Sequence, residues 1–105
     1  MQINISDERC PLRKMLEIIG GKWTMLIIFQ INDRTIRYGE LKRSIVGISE
    51  KMLISQLKLL CEKGIVNKKY FPEIPPKVEY TLTNSGKELL PIINQIIEFG
   101  ISHKF

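Results

Sequence analysis

The amino-acid sequence predicts a mainly α fold with one small β-hairpin (α+β). Three observations predict it. Apolar residues recur at spacings of three and four through most of the chain, the period of helices packed on a core. Two runs rich in Val, Tyr, Phe and Thr flank the Pro-rich stretch Pro72–Lys77, which reads as two strands and their connecting loop. Between Ile36 and Leu82 the order is short helix, Gly-containing turn, helix, strand, loop, strand. Helix, turn and helix followed by a hairpin is the winged helix-turn-helix order, whose second helix can enter a DNA major groove.

Residues 1–9 are polar and read as a frayed arm. Pro11 suits the first turn of a helix, and Leu12, Met15, Leu16 and Ile19 continue it at helical spacing. Gly20-Gly21 is expected to stop that helix through a left-handed cap. A second helix, Lys22 to Ile31, is apolar nearly all round, which marks it as buried. Asn32-Asp33-Arg34 is a turn and Thr35-Ile36-Arg37 a short strand. Gly39 to Ile45 forms the first helix of the helix-turn-helix, and Val46-Gly47-Ile48 its turn.

The next helix runs from Ser49 to Lys63, with Ser49 as N-cap and Gly64 as stop. Its apolar seam is Leu53, Leu57, Leu60 and Cys61; Lys51, Ser55, Lys58 and Glu62 lie opposite. Core on one side and cationic polar groups on the other is what a recognition helix requires. Strands follow over Val66–Phe71 and Val78–Leu82, and three prolines between them forbid ladder pairing in the loop. Thr83 caps a last helix with the stripe Leu89, Ile93, Ile96, Ile97 and Gly100, which Pro91 is expected to kink or split.

The 105 residues suit one domain, 1–105, with enough chain for a modest core. A hydrophobic share of 44% and a charged share of 26% exclude disorder. The apolar run near Met25–Phe29 is too short to span a bilayer, and residues 1–9 lack the apolar region of a secretory signal. The expected location is the cytoplasm, with no membrane partner. The net charge is +5; nine Lys/Arg against five Glu between Ile36 and Tyr80 leave +4 in that segment alone. A positive excess gathered in one unit is the footprint of a polyanion partner. Cys10 and Cys61 stand alone, and His103 is the one histidine, so no metal site or cofactor is expected.

These residues resemble the HxlR-type winged helix-turn-helix regulators, relatives of the wider MarR group. The resemblance runs from Cys10-Pro11 through Ile19-Gly20-Gly21-Lys22-Trp23, Arg37-Tyr38-Gly39-Glu40-Leu41 and Gly47-Ile48-Ser49-Glu50-Lys51-Met52-Leu53. It continues through Leu57, Gly64-Ile65-Val66, Pro75-Pro76-Lys77-Val78-Glu79-Tyr80 and Leu82-Thr83, and ends near Gly100. It implies a homodimeric transcription factor that holds DNA with its recognition helix and wing and dimerises through its N- and C-terminal helices. Several members sense electrophiles or oxidants at the position of Cys10. The chain departs from the family at Ile54-Ser55, Leu59 and Phe99-Gly100. The first of these lies on or beside the base-reading face, so the operator sequence does not carry over.

The expected partner is therefore double-stranded DNA carrying an imperfect palindromic operator. Arg37, Ser49, Lys51, Met52, Ser55, Gln56, Lys58, Lys68, Lys69 and Lys77 are the candidate DNA-contacting residues. Cys10, beside the start of a helix and near Arg9, Arg13 and Lys14, is the candidate redox-sensing thiol, a role that needs it accessible; the alternative is that it packs against the partner chain. The rival use of a winged helix, protein or RNA binding, commonly lacks a cationic recognition face. An enzyme is not expected, because no base or nucleophile has an orienting partner at plausible positions. Trp23 and Cys61 read as core residues, and Tyr38 and Tyr80 as packing residues with surface hydroxyls.

Overall fold

The fold is that of a computed structural model, which describes residues 2–105; Met1, part of the predicted arm, lies outside them. In chain order the elements are α1 (Pro11–Ile19), α2 (Thr24–Ile31), β1 (Ile36–Arg37) and α3 (Tyr38–Ser44). Then come α4 (Glu50–Glu62), β2 (Val66–Phe71), β3 (Lys77–Leu82) and α5 (Asn84–His103). The short β1 joins the hairpin, giving an antiparallel sheet in the order β1-β3-β2. Ile36 stands opposite Tyr80 on one side of β3, and Lys68 opposite Tyr80 on the other.

One apolar core collects residues from both halves of the chain. Ile27, Ile28 and Ile31 of α2 meet Leu41 of α3, the α4 seam, Leu82 of β3, and Leu89 and Ile93 of α5. Leu53, Leu57 and Leu60 are all buried. Each contributes about 1.5–3 kcal/mol when removed from water, so the seam fixes the rotation of α4 and with it the face turned outward. Gly47, in the turn between α3 and α4, has φ +89°, a conformation that side-chain-bearing residues rarely adopt.

Several expectations are corrected. Residues 4–10 of the arm are not frayed: the Asp7 amide donates to the Asn4 carbonyl at 3.2 Å and the Cys10 amide to the Asp7 carbonyl at 3.0 Å, while Arg13 bonds the Ile5 carbonyl. Gly20 ends α1 in the right-handed region, at φ −78° and ψ −10°. Helix α2 begins at Thr24, two residues later than expected, and Leu26 faces outward at 47% exposure, so α2 is not buried all round. Helix α5 runs unbroken through Pro91; a single missing amide in a helix of 20 residues is tolerated where the first turns are anchored in the core. The Tyr38 hydroxyl is enclosed and Tyr80 is buried, because α4 covers the sheet face from which Tyr80 projects.

Candidate nucleic-acid interface

Ser49 sets where α4 begins. Its backbone is extended (φ −79°, ψ 157°), and its Oγ accepts the Met52 amide at 3.0 Å. A cap of this kind is worth about 1 kcal/mol and fixes the first turn, the part of a recognition helix that meets base edges. Lys51, Ser55 and Lys58 follow at i, i+4 and i+7, all exposed, opposite the buried leucine seam. Met52 and Gln56 lie on one flank of this face, with the Gln56 amide 3.6 Å from the Met52 sulfur. The opposite flank, Ile54, Lys58 and Cys61, faces the sheet across a cavity.

The wing divides its lysines between two faces, because successive strand residues alternate. Lys68 shares the face of Tyr80 and Val78 and lines the cavity beside α4. Lys69 stands opposite Glu79 on the other face, with its ammonium 5.0 Å from the Phe71 ring. Lys77 lies 4.3 Å from the same ring and 3.8 Å from the Glu79 carboxylate. Its charge is partly answered within the sheet. Arg37, at the N-cap of α3, borders the same cavity as Lys58 and Lys68. Thus Arg37, Lys58 and Lys68 border one cavity beside α4, Lys51 and Ser55 continue the outward face of that helix, and Lys69 lies on the other face of the sheet.

Cys10 is the N-cap residue of α1, as its place before Pro11 implies, but it is 4% exposed and not the accessible thiol that the sensing role needs. Arg9 is tied to Asp7 at 3.0 Å, which reduces the positive charge available to Cys10. Cys61 is half-buried, and burial pushes its thiol pKa up against the opposing pull of Lys68. Sequence reasoning missed the cavity that Cys61 shares with Tyr38, Tyr80 and Val78. No helical or strand period announces it; it arises from how the sheet closes over α4. Among the described residues no group of three or more His, Cys, Asp or Glu is placed to hold a metal, and no helix is long and apolar enough to cross a membrane.

Comparison with known proteins places this geometry. Residues 18–104 match the family described as HxlR-like helix-turn-helix. An HTH-type transcriptional regulator of Halalkalibacterium halodurans is 46% identical over 102 residues, covering 96% of this chain and 88% of that protein. The crystal structure of a MarR-family regulator from Porphyromonas gingivalis W83 superposes with TM-score 0.88 at 64% identity, covering 93% of this chain and 96% of that one. The redox regulator HypR in its oxidised form gives TM-score 0.81 at 40% identity, over 89% of this chain and 96% of its own. With its winged helix-turn-helix intact and most of its length matched, the chain belongs to the HxlR-like helix-turn-helix family, among relatives named as transcriptional regulators.

Proposed function

We propose that residues 1–105 work as one winged helix-turn-helix unit that dimerises through α1 and α5 and binds an imperfect palindromic operator in double-stranded DNA. The observation that carries this reading is the outward face of α4. Lys51, Ser55 and Lys58 project opposite the buried seam, and Lys68 of the wing borders the same cavity as Lys58. Phosphate-neutralising cations around a capped helix give affinity, and the first turn of that helix gives base reading. The same cations argue against a wing used only for protein contact. The test is capture of genomic fragments by the purified protein, sequencing, and anisotropy titration of the recovered duplexes across a salt series. Affinity should fall linearly on a log–log plot as counterions are released. Salt-insensitive binding, or preference for RNA or a protein over every duplex, would favour the alternative interaction module.

A second reading concerns Cys10, favoured by its position at the start of α1 and by the likeness to the redox regulator HypR. Oxidation at the start of α1 alters a helix assigned here to the dimer. Because the thiol is enclosed, reaction requires the turns of residues 4–10 to open first, so modification should be slow and should accelerate in mild denaturant. Operator affinity of wild type and Cys10→Ser, with and without diamide, decides the matter. Unchanged affinity after verified oxidation of Cys10 rules the role out.

A further inference from the structure

The segment Gly20-Gly21-Lys22-Trp23 joins α1 to α2 and belongs to neither α4 nor the wing. Packing nonetheless carries it to the start of α4. The Lys22 ammonium lies 4.7 Å from the centre of the Trp23 ring. That indole is half-buried and packed against the core. Its Cη2 edge sits against Gly47, 3.7 Å from where a Cβ on that glycine would stand. Gly47 is the turn residue at φ +89°, two residues before Ser49, the N-cap of α4. Trp23 is therefore a bridge, with a cation from the start of α2 on its face and the turn ahead of the recognition helix at its edge.

That corner is short of positive charge of its own. The turn from Val46 to Ser49 has no charged residue, and in the first turn of α4 Glu50 offsets Lys51. The end of the helix that comes closest to base edges thus carries no net charge. Lys22 is exposed and makes no ion pair among the described residues. A cation beside the first turn of a recognition helix, but off that helix, meets the wall of the groove and not its floor, and the wall is phosphate. We propose that Lys22 binds a DNA phosphate flanking the bases read by the first turn of α4, with Trp23 as its platform. The ring restricts the ammonium before DNA arrives, so less side-chain freedom is lost on contact. Such a contact has no base preference; it fixes how the N-terminal end of α4 enters the groove. It deepens the operator reading above and rests on it.

Trp23 is the one tryptophan of the chain, so its fluorescence reports this corner alone. In wild type the captured duplex should change that emission and shield the indole from acrylamide. Lys22→Gln should lower affinity about fivefold near 0.15 M salt and reduce the slope of log affinity against log salt by about 1, with the ratio of operator to scrambled duplex unchanged. Lys22→Arg should restore both affinity and slope. Because the side chain is exposed, the circular-dichroism spectrum and thermal transition of both variants should match wild type. Duplexes carrying one neutral methylphosphonate locate the partner. At a single phosphate in each half-site, neutralisation should weaken wild type and leave Lys22→Gln unaffected, the non-additivity expected of two groups in contact. A wild-type salt slope in Lys22→Gln, losses that add at every phosphate, or an indole as open to acrylamide with the duplex as without it would overturn the contact and leave the operator reading standing. A wild-type chain that binds no duplex would overturn both.

Discussion

Gly86, in the first turn of α5, lies directly against the main-chain carbonyl of Ile65, with no room between them for a side chain. Thr83 draws the same segments together. Its amide donates to the Ile65 carbonyl at 3.0 Å, its hydroxyl donates to the Gly64 carbonyl at 2.6 Å, and its Oγ1 accepts the Gly86 amide at 3.0 Å. The chain leaving α4 is thereby fastened to the start of α5. That junction joins the element assigned to DNA to the element assigned to the dimer, so it sets the angle between them.

Gly86→Ala should therefore destabilise the protein although alanine is the better helix former. The propensity gain is about 1 kcal/mol. A methyl group forced onto a backbone oxygen has no rotamer by which to escape, and overpacking of that kind costs about 1–3 kcal/mol or somewhat more. A net loss of about 1–2 kcal/mol is expected in urea unfolding. A stabilised variant would show that α5 shifts freely on Ile65, contrary to this packing.

Much of this architecture was legible because local chemistry and tertiary packing agree. Ser49 and Thr83 were readable as caps, and both accept the amide expected of a cap. Leu53, Leu57 and Leu60 were readable as a seam because a period of 3.6 places them on one face. What escaped depends on register and on packing between distant segments. The separation of Lys68 from Lys69 follows from strand alternation once β2 is paired with β3, yet as residues of one charge run they looked equivalent. Tyr38 and Tyr80 come together only when β1, β3 and α4 close on one another. The burial of Cys10 within its own chain was not legible because nothing in residues 4–10 announced their turns.

That division of the wing yields a graded prediction. Lys51→Ala should relax base preference by about 1–3 kcal/mol at one position if its ammonium contacts a guanine edge. Lys68→Ala should weaken all duplexes alike and reduce the salt slope by about 1. Lys69→Ala, on the far face, should do less than Lys68→Ala. Anisotropy titrations on the operator and on scrambled duplexes separate the three cases. Equal and sequence-independent losses at every site would overturn the assignment of roles.

Stability should decline on the alkaline side. Burial raises the Cys61 thiol above its ordinary 9.0, and burial likewise raises the Tyr38 and Tyr80 hydroxyls above 10.0. In each case the folded state holds the proton more tightly than the unfolded chain does. The resulting stability is fully present below the ordinary value and is lost as pH rises through the raised one. Urea midpoints measured from neutral pH into the alkaline range should fall, Cys61 acting first and the tyrosines later. Cys61→Ala should remove the earlier part of the decline and Tyr80→Phe part of the later. A wild-type midpoint that rises across this range would contradict the burial of these groups.

The last prediction concerns assembly. Helix α5 is buried at Gly86, Leu89 and Ile93, and beyond Ile93 it leaves the core. Ile96 is 50% and Phe99 56% exposed; Leu12 and Leu16 of α1 are each 54% exposed. A helix of 20 residues is roughly 30 Å long, so about half of α5 projects with an apolar stripe that its own chain does not cover. A second copy is the simplest cover, since a two-fold axis lets the same stripe meet itself. Ile96→Glu combined with Phe99→Glu should abolish the dimer in light scattering while leaving helical content and the thermal transition of the α2–α4 core nearly intact. Loss of the dimer should also reduce operator binding to that of a single half-site, because two α4 helices about 34 Å apart are needed to read both halves at once. A wild-type monomer at micromolar concentration, or a double variant that remains dimeric, would place the interface elsewhere and remove the argument for a palindromic operator.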